Sequence, residues 1–417
     1  MTSRRTITFS ILFLVGLALR IYMISYPGGG DMAVYFAWGQ AARNIGLAHA
    51  YQGTYFPVQY QLFALCSAIA AGCHLPEYAV FKASNLVFDL GIVLLLRALI
   101  KQLGGNPAYA FLYWLHPWFL AIYSQGYIDS HFTFFVLLML VVLKNGETVR
   151  QQLLAGIPLG ASLLLKPQAA VLLFAFPFYI SLMAWKDRSF RALALLAGPS
   201  LLLIGYNIYF SVSLYPQLGF RAAVEMLRYY TDVAAIMPVL SAHMLNMWYP
   251  LAFALKSPEG DITFVSSKIH FVEARTIAAV ISITLIAWFI LRLVDAGLKP
   301  RNRTYLLIAC FATTVVPFIM TGAHENHLFL ASVLFIPLLA ISPEPLFNVA
   351  VQLTLLLQGL NLYLIYGAGQ LAARLRPFYP ESVRALLAVF SVVLFVIIAR
   401  HLFLLATRPS PGALDHD

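Results

Sequence analysis

Long apolar runs recur along the whole chain, and this repetition restricts the fold more than any single motif does. Each run is roughly 16 to 23 residues long, and the stretches between the runs carry the prolines, glycines and charges. About 20 apolar residues in a helix cross the ~30 Å hydrocarbon core of a bilayer. The pattern therefore predicts an all-α, polytopic transmembrane helical bundle of about 12 spans.

The composition supports a lipid environment for the whole chain. Of 417 residues, 61% are hydrophobic and only 11% are charged, which is too apolar for one soluble globule. The first run, Phe9 to Met23, follows two arginines as in a signal peptide, but no small-residue cleavage site comes after it. We therefore expect this run to be the first span, and residues 1–417 to form a single transmembrane domain.

Lysine and arginine collect at alternate connections, which the positive-inside rule assigns to the cytoplasm. These residues are Arg4, Arg5, Arg97, Lys101, Lys144, Arg150, Lys186, Arg188, Arg191, Arg292, Lys299, Arg301, Arg303 and Arg408. Both termini of this multi-pass protein are then cytoplasmic. The net charge of +10 reflects this bias and contact with membrane lipid, so no nucleic acid partner is expected.

Two segments on the opposite, extracytoplasmic side are too long to be simple turns. Residues 25–81 form the first loop, and residues 213–272 form a second long loop. Ordinary connections run about 2 to 8 residues, so we expect both loops to contain amphipathic helices on the membrane surface. The same count puts three late arginines outside, and a miscount of the last two helices is the alternative: Arg374, Arg376 and Arg384.

Asp31 follows three glycines directly after the first span. A carboxylate is thereby held on a bending backbone at the membrane mouth, where a general base could meet an extracytoplasmic hydroxyl. The alternative is a solvated aspartate that caps the helix beginning near Met32, and spacing alone favours this second role.

Lys166, Pro167 and Gln168 interrupt an apolar segment from Leu153 to Ala184 that is long enough for two spans and a tight turn. The lysine then lies on the outer side, where it could hold an anionic lipid headgroup while Pro167 stiffens the turn. The alternative is a lysine that snorkels from a helix end.

His324, Glu325 and His327 crowd into one outer turn between two apolar runs. They offer a base, an acid and a possible cation within reach of one another. The two histidines are three residues apart, not four as in a zincin helix, and no further His or Cys cluster accompanies them. We therefore expect no metal here.

Charged residues also occur within or beside the apolar runs. Arg20 and Asp89 lie where an ionised side chain is costly unless it is paired or faces water, so a structural ion pair is the default expectation. Arg221 and Arg228 lie on a predicted amphipathic helix from Phe220 to Tyr230, for which membrane anchoring is the alternative to substrate binding.

Several of these features belong to a set of short motifs in a fixed order. The set comprises Asp31 with Trp38, Gly46 and Tyr51; Lys82 with Asp89; Gly126 with Asp129 and Ser130; Lys166-Pro167-Gln168; Asn246 with Trp248; and His324-Glu325. Their order and spacing resemble the GT-C integral-membrane glycosyltransferases, in particular bacterial relatives of the mannosyl- and glucosyltransferases that use polyprenyl-phosphate sugars. The resemblance covers nearly the whole chain.

The resemblance implies a GT-C fold and an inverting hexosyltransferase. The hexose, with mannose as the first guess, would pass from a polyprenyl-phosphate donor to a hydroxyl of a glycolipid or glycan, with Asp31 as the catalytic base and an extracytoplasmic active site. No cofactor or divalent metal is then required. The expected donor-phosphate and substrate residues are Lys166, Gln168, His324, Glu325, His327, Arg20, Asp129, Arg221, Arg228 and Asn246.

The chain departs from the family pattern in places that concern phosphate binding. Gly322 and Asn326 stand where two arginines are often found, so Lys166, Arg221, Arg228 or His327 is expected to supply the cation. Three further departures are Phe56-Pro57-Val58 for Tyr-Pro-Pro, Tyr127 for glutamine and His243 for asparagine.

Two other function classes are compatible with a polar site in a helical bundle. A transporter or flippase of lipid-linked sugars is the main alternative, but such proteins usually show internal repeats and broken helices in matched halves, which this sequence lacks. A structural membrane subunit is the third possibility. The gathering of the polar residues on one side of the membrane favours a fixed active site over both.

Overall fold

The computed structural model describes residues 2–51, 55–146, 148–214, 238–257, 260–269, 272–342, 344–367 and 370–407. Over these ranges the chain is almost entirely helical, and its one sheet is an antiparallel pair of two-residue strands, β1 (Lys268–Ile269) and β2 (Val272–Glu273). The prediction of an all-α bundle is confirmed.

The helices follow one another through short connections. They are α1 (Thr2–Ile24), α2 (Gly30–Asn44), α3 (Leu47–Ala50), α4 (Pro57–Cys73), α5 (Glu77–Gln102), α6 (Ala110–Leu115), α7 (Pro117–Gln125), α8 (Asp129–Leu143), α9 (Val149–Leu163), α10 (Val171–Asp187), α11 (Ala194–Leu214), α12 (Tyr249–Leu255), α13 (Ala274–Asp295), α14 (Asn302–Ile319), α15 (Phe329–Ile341), α16 (Pro345–Tyr366), α17 (Gln370–Leu375) and α18 (Glu381–Thr407). Single 3₁₀ turns occupy Pro107–Tyr109, Pro167–Ala170, Arg191–Leu193, Ile262–Phe264, Glu325–Leu328 and Arg376–Phe378.

Eight helical segments in the described part of the chain are long and apolar enough to cross a membrane. They contain α1, α5, α10, α11, α13, α14, α16 and α18. Such segments satisfy their own backbone hydrogen bonds, as a lipid environment demands. The sequence prediction of a multi-pass membrane protein is therefore confirmed at this level. Two shorter apolar segments, Asp129–Leu143 and Glu325–Ile341, accompany them.

Contacts between helix ends define a basic end of the bundle. Asn302 at the start of α14 donates a hydrogen bond to Gln102 at the end of α5 (3.2 Å), and Lys299 pairs with Asp187 at the end of α10 (3.2 Å). Phe9 in the first part of α1 packs beneath the Arg97 guanidinium at 3.6 Å. The connections that carry the basic residues predicted for the cytoplasm thus meet at this end.

The last helices return to the same end. The Ser342 hydroxyl, just after α15, lies 3.0 Å from the His401 ring near the end of α18. Since α1 begins and α18 finishes here, the two ends of the described helical bundle lie together. This arrangement agrees with the prediction that both termini share one side of the membrane.

The opposite end, the cavity end, is held together by a buried lysine. Lys82 near the start of α5 donates hydrogen bonds to the carbonyl oxygens of Met23 (3.0 Å), Tyr26 (2.5 Å) and Ser124 (2.7 Å), which lie at the ends of α1 and α7. Carbonyls at a helix C-terminus lack intrahelical partners, so a cation stabilises them. Lys82 therefore fastens three helices at this end.

The first loop and the last connection also lie at the cavity end. The loop predicted over residues 25–81 folds as α2, α3 and α4, and the Tyr35 ring of α2 stacks on Phe63 of α4 with centroids 4.9 Å apart. Arg376 donates a hydrogen bond to the Leu364 carbonyl at the end of α16 (2.9 Å). The late arginines of this connection therefore lie where the original count of spans put them.

Candidate functional site

A cavity of about 460 Å³ lies at the cavity end of the bundle. Its walls come from α2, the turn between α9 and α10, the last residues of α14, the turn that follows them, and single tyrosines from other segments. This volume lies in the range typical of small-molecule sites, about 300–1,000 Å³. Six of the predicted site residues line it together: Asp31, Lys166, Gln168, His324, Glu325 and His327.

Asp31 is positioned by a glycine turn docked on the end of α7. Gly28 has φ +97°, a backbone region that glycine enters without strain, and the Gly29 amide donates to the Gln125 carbonyl at 3.0 Å. Helix α2 then begins at Gly30, with Asp31 in its first turn and no side-chain capping hydrogen bond. The capping role weighed for Asp31 is therefore wrong, and its carboxylate is left exposed to the cavity.

Lys166 faces the cavity from the turn before α10 and is paired. Its Nζ atom lies 2.7 Å from Asp129 Oδ1, and both side chains are only 1% exposed. Asn326 donates to the other Asp129 oxygen at 3.1 Å. A snorkelling lysine would reach toward the membrane surface, so that alternative is wrong. Asp129 itself lies behind the cavity wall and holds Lys166 and Asn326 in place.

The turn from His324 to Leu328 forms another wall. The Tyr127 hydroxyl donates to Glu325 Oε1 at 2.8 Å, and the His324 amide donates to His327 Nδ1 at 3.3 Å. The turn is held from behind, because the Ala242 amide donates to the Ala323 carbonyl at 3.2 Å. Thus Tyr127, which departs from the family pattern, orients the Glu325 carboxylate.

The pKa values of the groups around the cavity depend mainly on loss of water. Desolvation raises the pKa of Asp31 above its ordinary value, nearby Lys166 lowers it, Asp129 raises it, and the hydrogen bond from Tyr35 (3.4 Å) lowers it. Burial lowers the pKa of Lys166, but Asp129 more than offsets this and the net shift is upward. Lys166 is therefore charged.

His324 differs from Lys166 in its charge state. Burial, together with the positive charge of Lys166, lowers the pKa of His324 to about 4. The ring is then neutral at neutral pH, so it can donate or accept a hydrogen bond but adds no positive charge to the cavity.

Two predicted substrate residues lie away from the cavity. Arg20 is fully buried against Asp89 at 2.7 Å, so the expected ion pair is confirmed and its guanidinium has protein partners. Asn246 donates to the Pro317 carbonyl at 3.3 Å and accepts from the Trp248 amide at 3.1 Å. Their polar groups are satisfied within the scaffold, which corrects the expectation that they bind substrate.

Arg221 and Arg228, together with the helix predicted from Phe220 to Tyr230, lie outside the described residues. Within the described lining of the cavity, Lys166 is the sole lysine or arginine. The positive charge available there thus comes from one residue, which is itself paired with Asp129.

Sequence reasoning missed several aromatic lining residues. Tyr35 lies one helical turn after Asp31, a spacing that puts both on one face of α2 and that could have identified it. Tyr55 and Tyr366 also line the cavity. Neither has a local sequence signal, because long-range packing alone brings them there.

In the described part of the chain, no group of three or more His, Cys, Asp or Glu side chains is arranged to hold a metal ion. No protein-family model and no curated protein matches the sequence. The function is therefore inferred from the cavity and from the resemblance of the motifs.

Proposed function

We propose that the protein is a GT-C-type membrane glycosyltransferase that moves a hexose, with mannose the first to be tested, from a polyprenyl-phosphate donor to an acceptor hydroxyl. One observation carries the proposal. Asp31, an exposed carboxylate, and Lys166, a buried cation, line the same cavity from different elements. Inverting glycosyl transfer needs a base at the acceptor and positive charge at the leaving phosphate.

The architecture is compatible with that family. Besides the eight long helical segments, the joined pair α6 and α7 and the shorter helices α8, α9 and α15 run between the two ends of the bundle. Together they give twelve passes. By the positive-inside rule the basic end is cytoplasmic, so the cavity opens toward the extracytoplasmic leaflet, where a lipid-linked donor is available.

The chemistry assigned to the cavity is a single displacement. Asp31 takes the proton of the acceptor hydroxyl while the hydroxyl oxygen attacks the anomeric carbon from the face opposite the phosphate. The bond from the anomeric carbon to the phosphate oxygen breaks, and the lipid phosphate leaves with the electron pair, so the configuration inverts. Lys166, with hydrogen bonds from Gln168 and neutral His324, stabilises the departing phosphate.

The test is transfer from radiolabelled polyprenyl-phosphate hexoses to membrane lipid extract in the presence of chelator. Wild-type protein is compared with Asp31→Asn and with Asp187→Asn, a carboxylate at the basic end. We expect transfer by the wild type, a loss of about 10²- to 10⁴-fold in Asp31→Asn, and no change in Asp187→Asn.

Two outcomes contradict the proposal in different ways. Transfer that survives in Asp31→Asn removes Asp31 from the role of base. If folded wild-type protein transfers from no donor in the panel, glycosyl transfer is wrong and a transporter of lipid-linked sugars becomes the leading candidate.

A further inference from the structure

One wall of the cavity is aromatic and comes largely from a single helix face. Asp31, Val34, Tyr35 and Trp38 follow the spacing i, i+3, i+4, i+7 on α2, so they lie on one face, and all four line the cavity. Tyr55 packs edge-on against Trp38, with ring centroids 5.8 Å apart and planes at 74°. Val34, Tyr35, Trp38 and Tyr55 are called the aromatic wall below.

The wall that carries Lys166 has different chemistry. Lys166, Gln168, His324 and Glu325 supply a cation, amide groups, a ring nitrogen and a carboxylate there. The aromatic wall offers ring surfaces and phenol hydroxyls, and Asp31 is the charged group beside it. A substrate in contact with both walls is therefore charged where it meets Lys166 and neutral where it meets the rings.

We infer that the acceptor is an uncharged sugar ring, which stacks on Trp38 and Tyr55 while one of its hydroxyls meets Asp31. This inference rests on the proposed function. A base must lie about 2.6–3.2 Å from the oxygen whose proton it removes, so the acceptor extends along the helix face that carries Asp31. A sugar ring fits that surface, because its C–H face packs on the electron-rich face of an aromatic ring and its hydroxyls form hydrogen bonds at the edge.

An anionic acceptor fits the same surface poorly. It would lie beside the Asp31 carboxylate, and the one cation described in the lining, Lys166, is already paired with Asp129 at 2.7 Å. An unpaired anion that loses water is strongly disfavoured. Tyr60 stacks on one face of Trp38 with centroids 5.0 Å apart and holds the indole in a fixed orientation. A rigid platform of this kind favours binding, because little side-chain entropy remains to be lost.

The experiment uses the full-length protein and pairs of soluble acceptor probes that differ by one carboxylate. These are hexyl glucoside, mannoside and galactoside, with the corresponding hexyl hexuronides. Wild type is compared with Trp38→Leu, with Trp38→Phe, which keeps an aromatic face, and with Trp185→Leu on α10, a tryptophan that is 72% exposed near the basic end.

We expect Trp38→Leu to raise the KM for a neutral hexoside about tenfold or more and to leave the KM for the donor unchanged, since only acceptor binding loses a contact. Trp38→Phe should stay within about threefold of wild type, and Trp185→Leu should match it. Each hexuronide should be at least about tenfold poorer than its neutral partner. The unchanged donor KM also shows that the variant is folded.

Hexuronides that serve as well as hexosides, or an acceptor KM that is insensitive to Trp38→Leu, overturn the inference while the observed transfer preserves the enzyme. If no donor is used by folded wild type, the proposed function fails by itself. Equilibrium binding of the neutral hexosides then decides the inference. Binding that is lost in Trp38→Leu supports the sugar site, and absent or Trp38-independent binding overturns it.

Discussion

The bundle contains two buried ion pairs of the same length in very different surroundings. Arg20 and Asp89 lie 2.7 Å apart, as do Lys166 and Asp129, and all four side chains are almost completely buried. Burial and pairing therefore do not distinguish a structural pair from one that belongs to a site.

The Arg20 pair is closed in by protein groups. Its guanidinium donates to the Trp114 carbonyl at 2.7 Å and lies 3.9 Å from the Trp114 ring centroid, and the Tyr113 hydroxyl donates to Asp89 at 2.5 Å. Arginine suits such a network, because its planar donors point in fixed directions. The pair fixes α1 against α5 and α6.

The Lys166 pair has space on one side. Lys166 lines the 460 Å³ cavity that Asp31 also lines, and its compact ammonium group has three donors. What separates the two pairs is whether a substrate can reach them. The comparison teaches that a cavity, and not burial of charge, marks the functional pair.

The largest expected effect comes from replacing each pair by apolar residues. Lys166→Met/Asp129→Leu should lower transfer by about 10²- to 10³-fold, because stabilisation of the leaving phosphate is lost. Arg20→Met/Asp89→Leu should keep transfer within about threefold, since a buried pair exchanged for apolar groups of similar size is often tolerated. Steady-state transfer by purified protein, with thermal unfolding as the folding control, measures both. Equal losses of transfer in the two folded variants would erase the proposed difference.

A smaller effect is expected when only one partner of the closed pair is removed. Arg20→Met leaves the Asp89 carboxylate buried without its cation, and we expect the free energy of unfolding to fall by about 3–5 kcal/mol. Denaturant unfolding in detergent micelles measures the change. Arg292→Met, an exposed arginine of α13, is the control and should change stability by no more than about 0.5 kcal/mol. A near-neutral Arg20→Met would mean that the closed pair stabilises nothing.

The smallest effect concerns the pH dependence of transfer. Asp31 acts as a base only when ionised, so kcat/KM should fall as the pH drops through its raised pKa, above the ordinary aspartate value of about 3.9. The Tyr35 hydrogen bond lowers that pKa and Asp129 raises it. Tyr35→Phe should therefore move the acid limb to higher pH, and Asp129→Asn should move it to lower pH.

The matched control for this profile is Tyr51→Phe. Its hydroxyl lies in the neighbouring aromatic cluster and donates to the Tyr55 carbonyl at 2.9 Å, without a contact to Asp31. We expect an unchanged acid limb. Shifts of the same sign in Tyr35→Phe and Asp129→Asn would show that another group governs the profile.

Much of the fold and part of the site could be predicted because their signals are local. The break at Pro167 predicted the turn that carries Lys166, and the glycines before Asp31 predicted the bend after α1. The hydrogen bond from Tyr127 to Glu325 and the one from Asn326 to Asp129 join residues 198 and 197 positions apart. No sequence pattern reports such pairs.

The sequence by itself determined that this protein is a helical membrane bundle with polar turns at its ends, because the length and composition of an apolar run decide locally whether it can cross lipid. Only the tertiary structure decided which charged residues share a cavity. Arg20 and Lys166 look alike in the sequence, as single cations beside apolar runs. The packing of distant helix ends surrounded the first with carbonyls and rings and left the second facing open space beside Asp31.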